Sequence, residues 1–232
     1  MSFRLTLIVF SVLIFCPAII VAQTVAYPEI TFEYSPFFAA LCAAVTKQTV
    51  EAEAVKELES RLDLFREHWR KDAPQLLGAT VKLTRVKFQF WETKAALHLC
   101  KDFGSMSLPL LFDMRYFLKA TEGEQARSMT DFTNFVFHET LHRYVTEQIR
   151  TLPDKTTPLL VKYRDEPLPI RSHLHLYAIM NEVYRKLDRQ KDLESAIAFE
   201  QAVKTAPITK RAREIVQKEG GESFIREFRK SR

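Results

Sequence analysis

The chain carries 232 residues, 47% of them hydrophobic and 12% aromatic, which is enough apolar material for a real core and excludes a disordered chain. Five glycines, at positions 78, 104, 123, 220 and 221, are too few for a turn-rich all-β fold or a glycine-rich phosphate loop, so nucleotide binding is not expected. The net charge of +5 is mild; basic residues gather near the C-terminus, from Lys210 to Arg232, but Glu214, Glu219, Glu222 and Glu227 are interleaved with them, the pattern of a solvated helix face and not of a nucleic-acid patch.

Residues 1–22 read as a secretory signal. Arg4 forms a positive n-region, an apolar run from Leu5 to Val21 is broken only by Thr6, Ser11, Cys16 and Pro17, and Ala22-Gln23 is an acceptable cleavage point. The run is close to a minimal transmembrane span, so an uncleaved anchor is the competing reading, and membrane contact is expected only in that case. The protein is therefore expected to be secreted or periplasmic, with one domain over residues 27–232. Arg4 is the sole charge in 1–22, so its removal takes the balance from +5 to +4. Cys42 and Cys100 remain, neither in a C-x-x-C pair, which removes a cysteine zinc site or a redox motif. In an exported chain an even pair can form one disulfide or stay as two buried thiols, and the spacing does not choose.

From Ser35 to Ala73 the pattern is helical. Phe37, Phe38, Leu41 and Val45 recur at helical spacing, then Val55, Leu58, Leu62, Leu64, Phe65 and Trp69, which predicts two helices, or one with a break, whose aromatic side supports the core. Pro74 ends the run in this reading. Between 81 and 111 the period falls to two. Val86-Lys87-Phe88-Gln89-Phe90 alternates, Glu92-Thr93-Lys94 makes a polar corner and Ala95 to Cys100 follows, which predicts an antiparallel hairpin, with a third strand within 106–112. His98 in the second strand reads as a packed or surface residue. An edge strand beside the next helix could take an extended peptide main chain to main chain.

The stretch that reads as chemistry is His138-Glu139-Thr140-Leu141-His142, the pattern H-E-x-x-H. Ser128-Met129-Thr130-Asp131 fits a capping box, so its helix is expected from about Ser128 to Ile149. Residues four apart stack on one helix face, so both imidazoles aim at one point, where a zinc ion would sit about 2.0–2.1 Å from each nitrogen. At 100° steps Phe135, His138, His142, Val145 and Ile149 form one arc, with Thr133, Thr140, Arg143 and Glu147 opposite, so the histidines point inward. Glu139, about 100° further round, lies near such an ion without being forced onto it and is the candidate general base. The same three residues also arise by chance, and i, i+4 histidines occur without a metal.

A catalytic zinc takes three protein ligands plus water, so one more is needed. After a proline-spaced loop, residues 152–170, a second helix is expected to start with Ser172 as its N-cap and to run to about Asp188. It offers His173, His175 and Glu182. His175 and Glu182 are seven apart and share a face, whereas His173 lies nearer the apolar stripe of Leu176, Met180, Val183 and Leu187. His175 is the favoured third ligand, because a histidine in a first turn can reach into a cleft that the helix body only borders. Glu182 comes second and His173 third. A helix over 191–207 and one or two more from Lys210, separated at Gly220-Gly221, read as covering elements.

The motif, its helix and the second helix resemble the zincin metallopeptidases. Metzincins carry a glycine and a histidine where this chain has Val145 and Gln148, and the Gly-Thr-x-x-Asp segment of the aspzincins is absent. The chain is thus similar to gluzincins or to an unassigned zincin family. Asn181-Glu182 resembles the Asn-Glu of the gluzincin helix, although the aspartate expected four residues later is Lys186. The resemblance implies an α+β, mostly helical zincin-like domain with a small antiparallel sheet beside the motif helix. It also implies a Zn2+ cofactor and hydrolysis of peptide bonds in a peptide or protein substrate by a zinc-activated water, with Glu139 as general base. The oxyanion donor stays open among Tyr177, Tyr184, His173 and Arg143. Two functions compete with this one: an inactive zincin-like domain that binds a peptide or protein partner, and a structural exported domain without metal.

Overall fold

A computed structural model of the chain describes residues 27–230 apart from 48, 102, 150–155 and 204. The expected leader, 1–22, lies outside the described residues, among which no helix is long and apolar enough to cross a membrane. Strand β1 (Glu29–Tyr34) leads into helices α1 (Pro36–Thr46) and α2 (Ala52–Thr84), followed by strands β2 (Glu92–His98), β3 (Met106–Ser107) and β4 (Leu110–Asp113). The rest is helical: α3 (Lys119–Glu122), α4 (Met129–Ile149), α5 (Pro158–Lys162), α6 (Leu168–Lys186), α7 (Gln190–Gln201), α8 (Ala206–Glu219) and α9 (Gly221–Arg229). The α+β class and the mostly helical content match the sequence reading.

The sheet is mixed, where an antiparallel one was expected. Its order is β1-β2-β4-β3, with β1 parallel to β2 from Glu29↔Glu92 to Tyr34↔Leu97, β2 parallel to β4, and only β3 antiparallel to β4. Parallel neighbours need a long crossover, and α1 with α2 provide it. The expected hairpin partner, residues 86–90, forms no strand. Its alternation reports burial: Val86, Phe88 and Phe90 are 4%, 3% and 5% exposed. Two of its carbonyls are satisfied from α4, by Tyr144 Oη donating to Val86 O (2.9 Å) and Gln148 Nε2 to Lys87 O (3.2 Å). A period of two shows an extended segment with one buried side; it does not say that a neighbouring strand supplies the hydrogen bonds.

Pro74 does not end α2, which continues ten residues beyond it. A mid-helix proline costs roughly 3 kcal/mol through a lost hydrogen bond and a ring clash. Here buried Ala73, Leu76 and Leu77 hold the helix in the core on both sides of it. The aromatic side of α2 does support the core: Phe65 meets Phe132 of α4 at 4.7 Å between ring centroids, and Phe32 and Phe117 close on the same ring. Helix α1 departs from expectation, with Phe37 and Val45 70% and 65% exposed and only Cys42 buried.

Helix α4 starts as the capping box predicts. The Ser128 hydroxyl accepts from the Asp131 N–H, and Asp131 Oδ2 accepts from the Ser128 N–H, both at 3.1 Å. The helix packs against α2, α6, α7 and the β3–β4 end of the sheet. The side opposite the histidines is therefore covered as well: Thr133 and Thr140 are fully buried, and Thr140 returns its hydroxyl to Val136 O.

Cys42 and Cys100 form a disulfide, Cα–Cα 5.6 Å, that ties α1 to the end of β2, just before the segment leading into β3. The bridge spans 58 residues, and closing a loop of that length in the unfolded chain is worth about 4 kcal/mol in the chain-entropy model. Replacing both cysteines by serine should thus lower the unfolding free energy by about 2–4 kcal/mol, read as a shift in urea midpoint with unchanged slope. An unshifted midpoint would show that the bridge constrains nothing.

Candidate metal centre

Helix α4 brings His138 and His142 onto one face, one turn apart, as the motif demands. Their Nε2 atoms lie 3.1 Å apart. Across from them stands His173 of α6, whose Nε2 is 3.1 Å from that of His142. These three side chains form a group that could hold a metal ion, with ligand atoms all within 4.8 Å of one another. Two nitrogens bound at about 2.0–2.1 Å to one tetrahedral ion would be about 3.3 Å apart, close to the two spacings observed.

Two of the three outer nitrogens are committed to acceptors. His173 Nδ1 donates to Pro169 O at 2.6 Å, and His138 Nδ1 faces Glu200 Oε1 of α7 at 3.2 Å. Such contacts fix each ring in the tautomer whose Nε2 keeps its lone pair for a metal. Glu200 is itself held, since Arg213 of α8 donates to its Oε2 through Nε and Nη2 at 3.0 and 2.8 Å. Burial pushes the Glu200 carboxyl up, but His138 and Arg213 outweigh it, so the group stays below the usual carboxylate range. The Arg213 guanidinium also lies over the Tyr177 ring at 3.9 Å and donates to Asn181 Oδ1. Glu200 and Arg213 were not foreseen. Both come from covering helices whose sequence shows only amphipathic spacing and mixed charge.

The structure brings His173, and neither His175 nor Glu182, to the motif histidines. On a helix His173 and His175 are 200° apart, and His173 and Glu182 are 900°, or half a turn, apart, so neither alternative can share the His173 face. His173 shares its side of α6 with Tyr177 and Tyr184, whose rings meet His138 and Phe137 of α4, and that side brings it to the motif. His175 points instead at α9, with Nε2 3.0 Å from Glu227 Oε1, and both side chains are almost fully buried. Glu182 is paired with Arg185 and Lys186. The helix also begins earlier than Ser172, at Leu168 behind Pro167, which places His173 in its second turn over the Pro169 carbonyl.

Glu139 turns toward the sheet, where Ser107 Oγ of β3 donates to its Oε2 at 2.6 Å. Glu139, the three histidines and Ser107 line one cavity of about 780 Å³, a volume typical of small-molecule sites. Of the residues considered as oxyanion donors, only His173 lines this cavity. Tyr177 is fully buried, Tyr184 donates to Asn134 Oδ1, and Arg143 reaches Thr93 and Glu147 over the Phe90 ring.

Burial and the neighbouring histidines push two imidazoles down: His142 well below 6.5, and His173 to about 4, the latter despite the Pro169 carbonyl. In an unfolded chain both would protonate near 6.5. Between about pH 6.5 and 4 the unfolded metal-free chain therefore binds more protons than the folded one, and stability falls as the pH falls. For His173 alone the loss by pH 4 is on the order of 3 kcal/mol. Urea melts of chelator-treated protein at pH 7 and 4.5 should show the drop, and a flat profile would contradict it.

No family model, curated protein or solved structure matches the chain.

Proposed function

We propose that this protein is a zinc-dependent peptidase, with His138, His142 and His173 as ligands and Glu139 as general base. One observation carries the reading: His142 Nε2 lies 3.1 Å from the Nε2 atoms of both His138 and His173, while the outer nitrogens of those two are spent on Glu200 and the Pro169 carbonyl. The lone pairs left on His138 Nε2 and His173 Nε2 converge on His142, and a cation shared by the three rings would satisfy them together. Borderline-soft zinc suits an all-imidazole set, and three ligands leave the fourth position open as in catalytic sites.

Zinc held there would acidify a water from a pKa of about 15.7 toward 7 and polarise a carbonyl. The rest falls to the chain. Glu139 takes the proton and hands it to the leaving amine, with one carboxylate oxygen anchored by Ser107 and the other without a hydrogen-bond partner among the described residues. Glu200 and Arg213 keep His138 turned to the centre. The disulfide and the N-terminal segment support export to an oxidising compartment, secreted or periplasmic.

The test is elemental analysis of the purified protein followed by digestion of a mixed peptide library. About one zinc per chain, with cleavage that stops on chelation and returns with zinc, is the expected result. Zinc without cleavage favours a peptide-binding domain, and no zinc favours the structural alternative.

A further inference from the structure

The cavity that holds the histidines and Glu139 also holds a cation that the proposed chemistry does not use. Arg115 follows β4 and is fixed by Asp113: Asp113 Oδ1 accepts from the Arg115 backbone N–H at 3.1 Å and from its Nε at 3.0 Å, and Oδ2 accepts from Nη2 at 2.6 Å. Asp113 is locked in turn, 1% exposed, with its N–H donating to Ser105 Oγ at 3.0 Å. The guanidinium is thus held in one plane with two of its three nitrogens spent, and among the described residues Nη1 has no protein acceptor. The side chain is still 19% exposed. Lys101, equally without an acceptor among the described residues, lines the same cavity, and the two cations also border a second cavity of about 560 Å³. Apolar side chains make up much of the remaining wall, Phe135, Phe199, Val203 and Ile208 among them, with exposed Met106 and Leu108 further along it.

A preorganised guanidinium with a free edge, beside an ammonium and within an apolar cavity, matches a carboxylate attached to an apolar ligand. Resting on the peptidase reading, we propose that Arg115, helped by Lys101, binds a carboxylate of the substrate and so selects short peptides with apolar side chains near a carboxylate. That carboxylate has two sources, the C-terminus of a peptide or an acidic side chain. The first would make the protein a carboxypeptidase.

Calorimetric titration separates these outcomes without relying on turnover. Three probes suffice: acetyl-Phe-Phe with a free C-terminus, its C-terminal amide, and acetyl-Phe-Glu-amide. Each is run on zinc-loaded and on metal-free protein, so that a carboxylate taken by the metal is told apart from one taken by Arg115. The free acid should bind about tenfold or more tightly than its amide in both forms, since a hydrogen bond to a charged group is worth about 1.5–3 kcal/mol. The preference should shrink in Lys101→Gln and vanish in Arg115→Gln. Tighter binding of acetyl-Phe-Glu-amide as well assigns the site to any carboxylate, and its failure to bind assigns the site to the C-terminus.

Equal binding of acid and amide by the wild type, or a preference seen only with zinc, overturns the proposal whether or not Arg115→Gln folds. Failure of the peptidase reading looks different: the preference persists in the metal-free protein, and the zinc-loaded wild type cleaves nothing.

Discussion

Glu139→Gln is expected to keep zinc at the wild-type level and to lower kcat by about 10²–10⁴-fold, the range that general base catalysis contributes. Glutamine has the shape of glutamate, and its amide oxygen can still accept from Ser107, which sits 2.6 Å from Glu139 Oε2. The cavity wall should therefore survive the change. What is lost is the negative carboxylate able to take a proton. A variant that holds zinc and cleaves peptides at the wild-type rate would remove Glu139 from the chemistry. One that loses zinc as well would make Glu139 a ligand, which its 100° offset from the His138–His142 face argues against.

The second large effect separates two histidines that stand two residues apart. His173→Ala should weaken zinc binding more than about 100-fold, since losing even an outer partner of a ligand costs about 10–100-fold. The fold should hold, because His173 lies at the cavity and not in the core. His175→Ala should do the reverse. His175 and Glu227 form a buried pair, 1% and 3% exposed at the side chain, packed between Phe224 and Phe228. Truncating the imidazole opens a cavity between the two rings and leaves a buried carboxylate oxygen without its neighbour, which together cost about 3–5 kcal/mol and at this chain length lower Tm by on the order of 10 °C. Zinc affinity should stay unchanged below the new Tm. If the roles were exchanged, with His175→Ala losing zinc at full stability, the geometry of the centre described above would be wrong.

The sequence alone carried the local terms. The H-E-x-x-H spacing on a capped helix places two imidazoles one above the other whatever surrounds them, because a four-residue step is one turn. The Ser128–Asp131 box set the start of that helix, and hydrophobic periodicity marked the helical and the alternating stretches. These features depend on residues within one turn of each other, so they are written where they act.

Tertiary structure decided what depends on residues far apart in the chain. The third imidazole could not be chosen from spacing, since the side of α6 that faces α4 is fixed by how the whole helix packs. An argument from position in the first turn favoured His175, when α6 begins earlier and His173 lies on the inward side. Glu200 of α7 reaches His138 and Arg213 of α8 holds Glu200, both more than sixty residues from His138, and nothing near them in sequence announces that. Strand pairing was hidden for the same reason: alternation in 86–90 records which side is buried, while the ladder partners of β2, in β1 and β4, are chosen by the fold. The chain by itself named two candidate ligands and a candidate base, and packing brought the His173 imidazole and the Glu200 carboxylate to them.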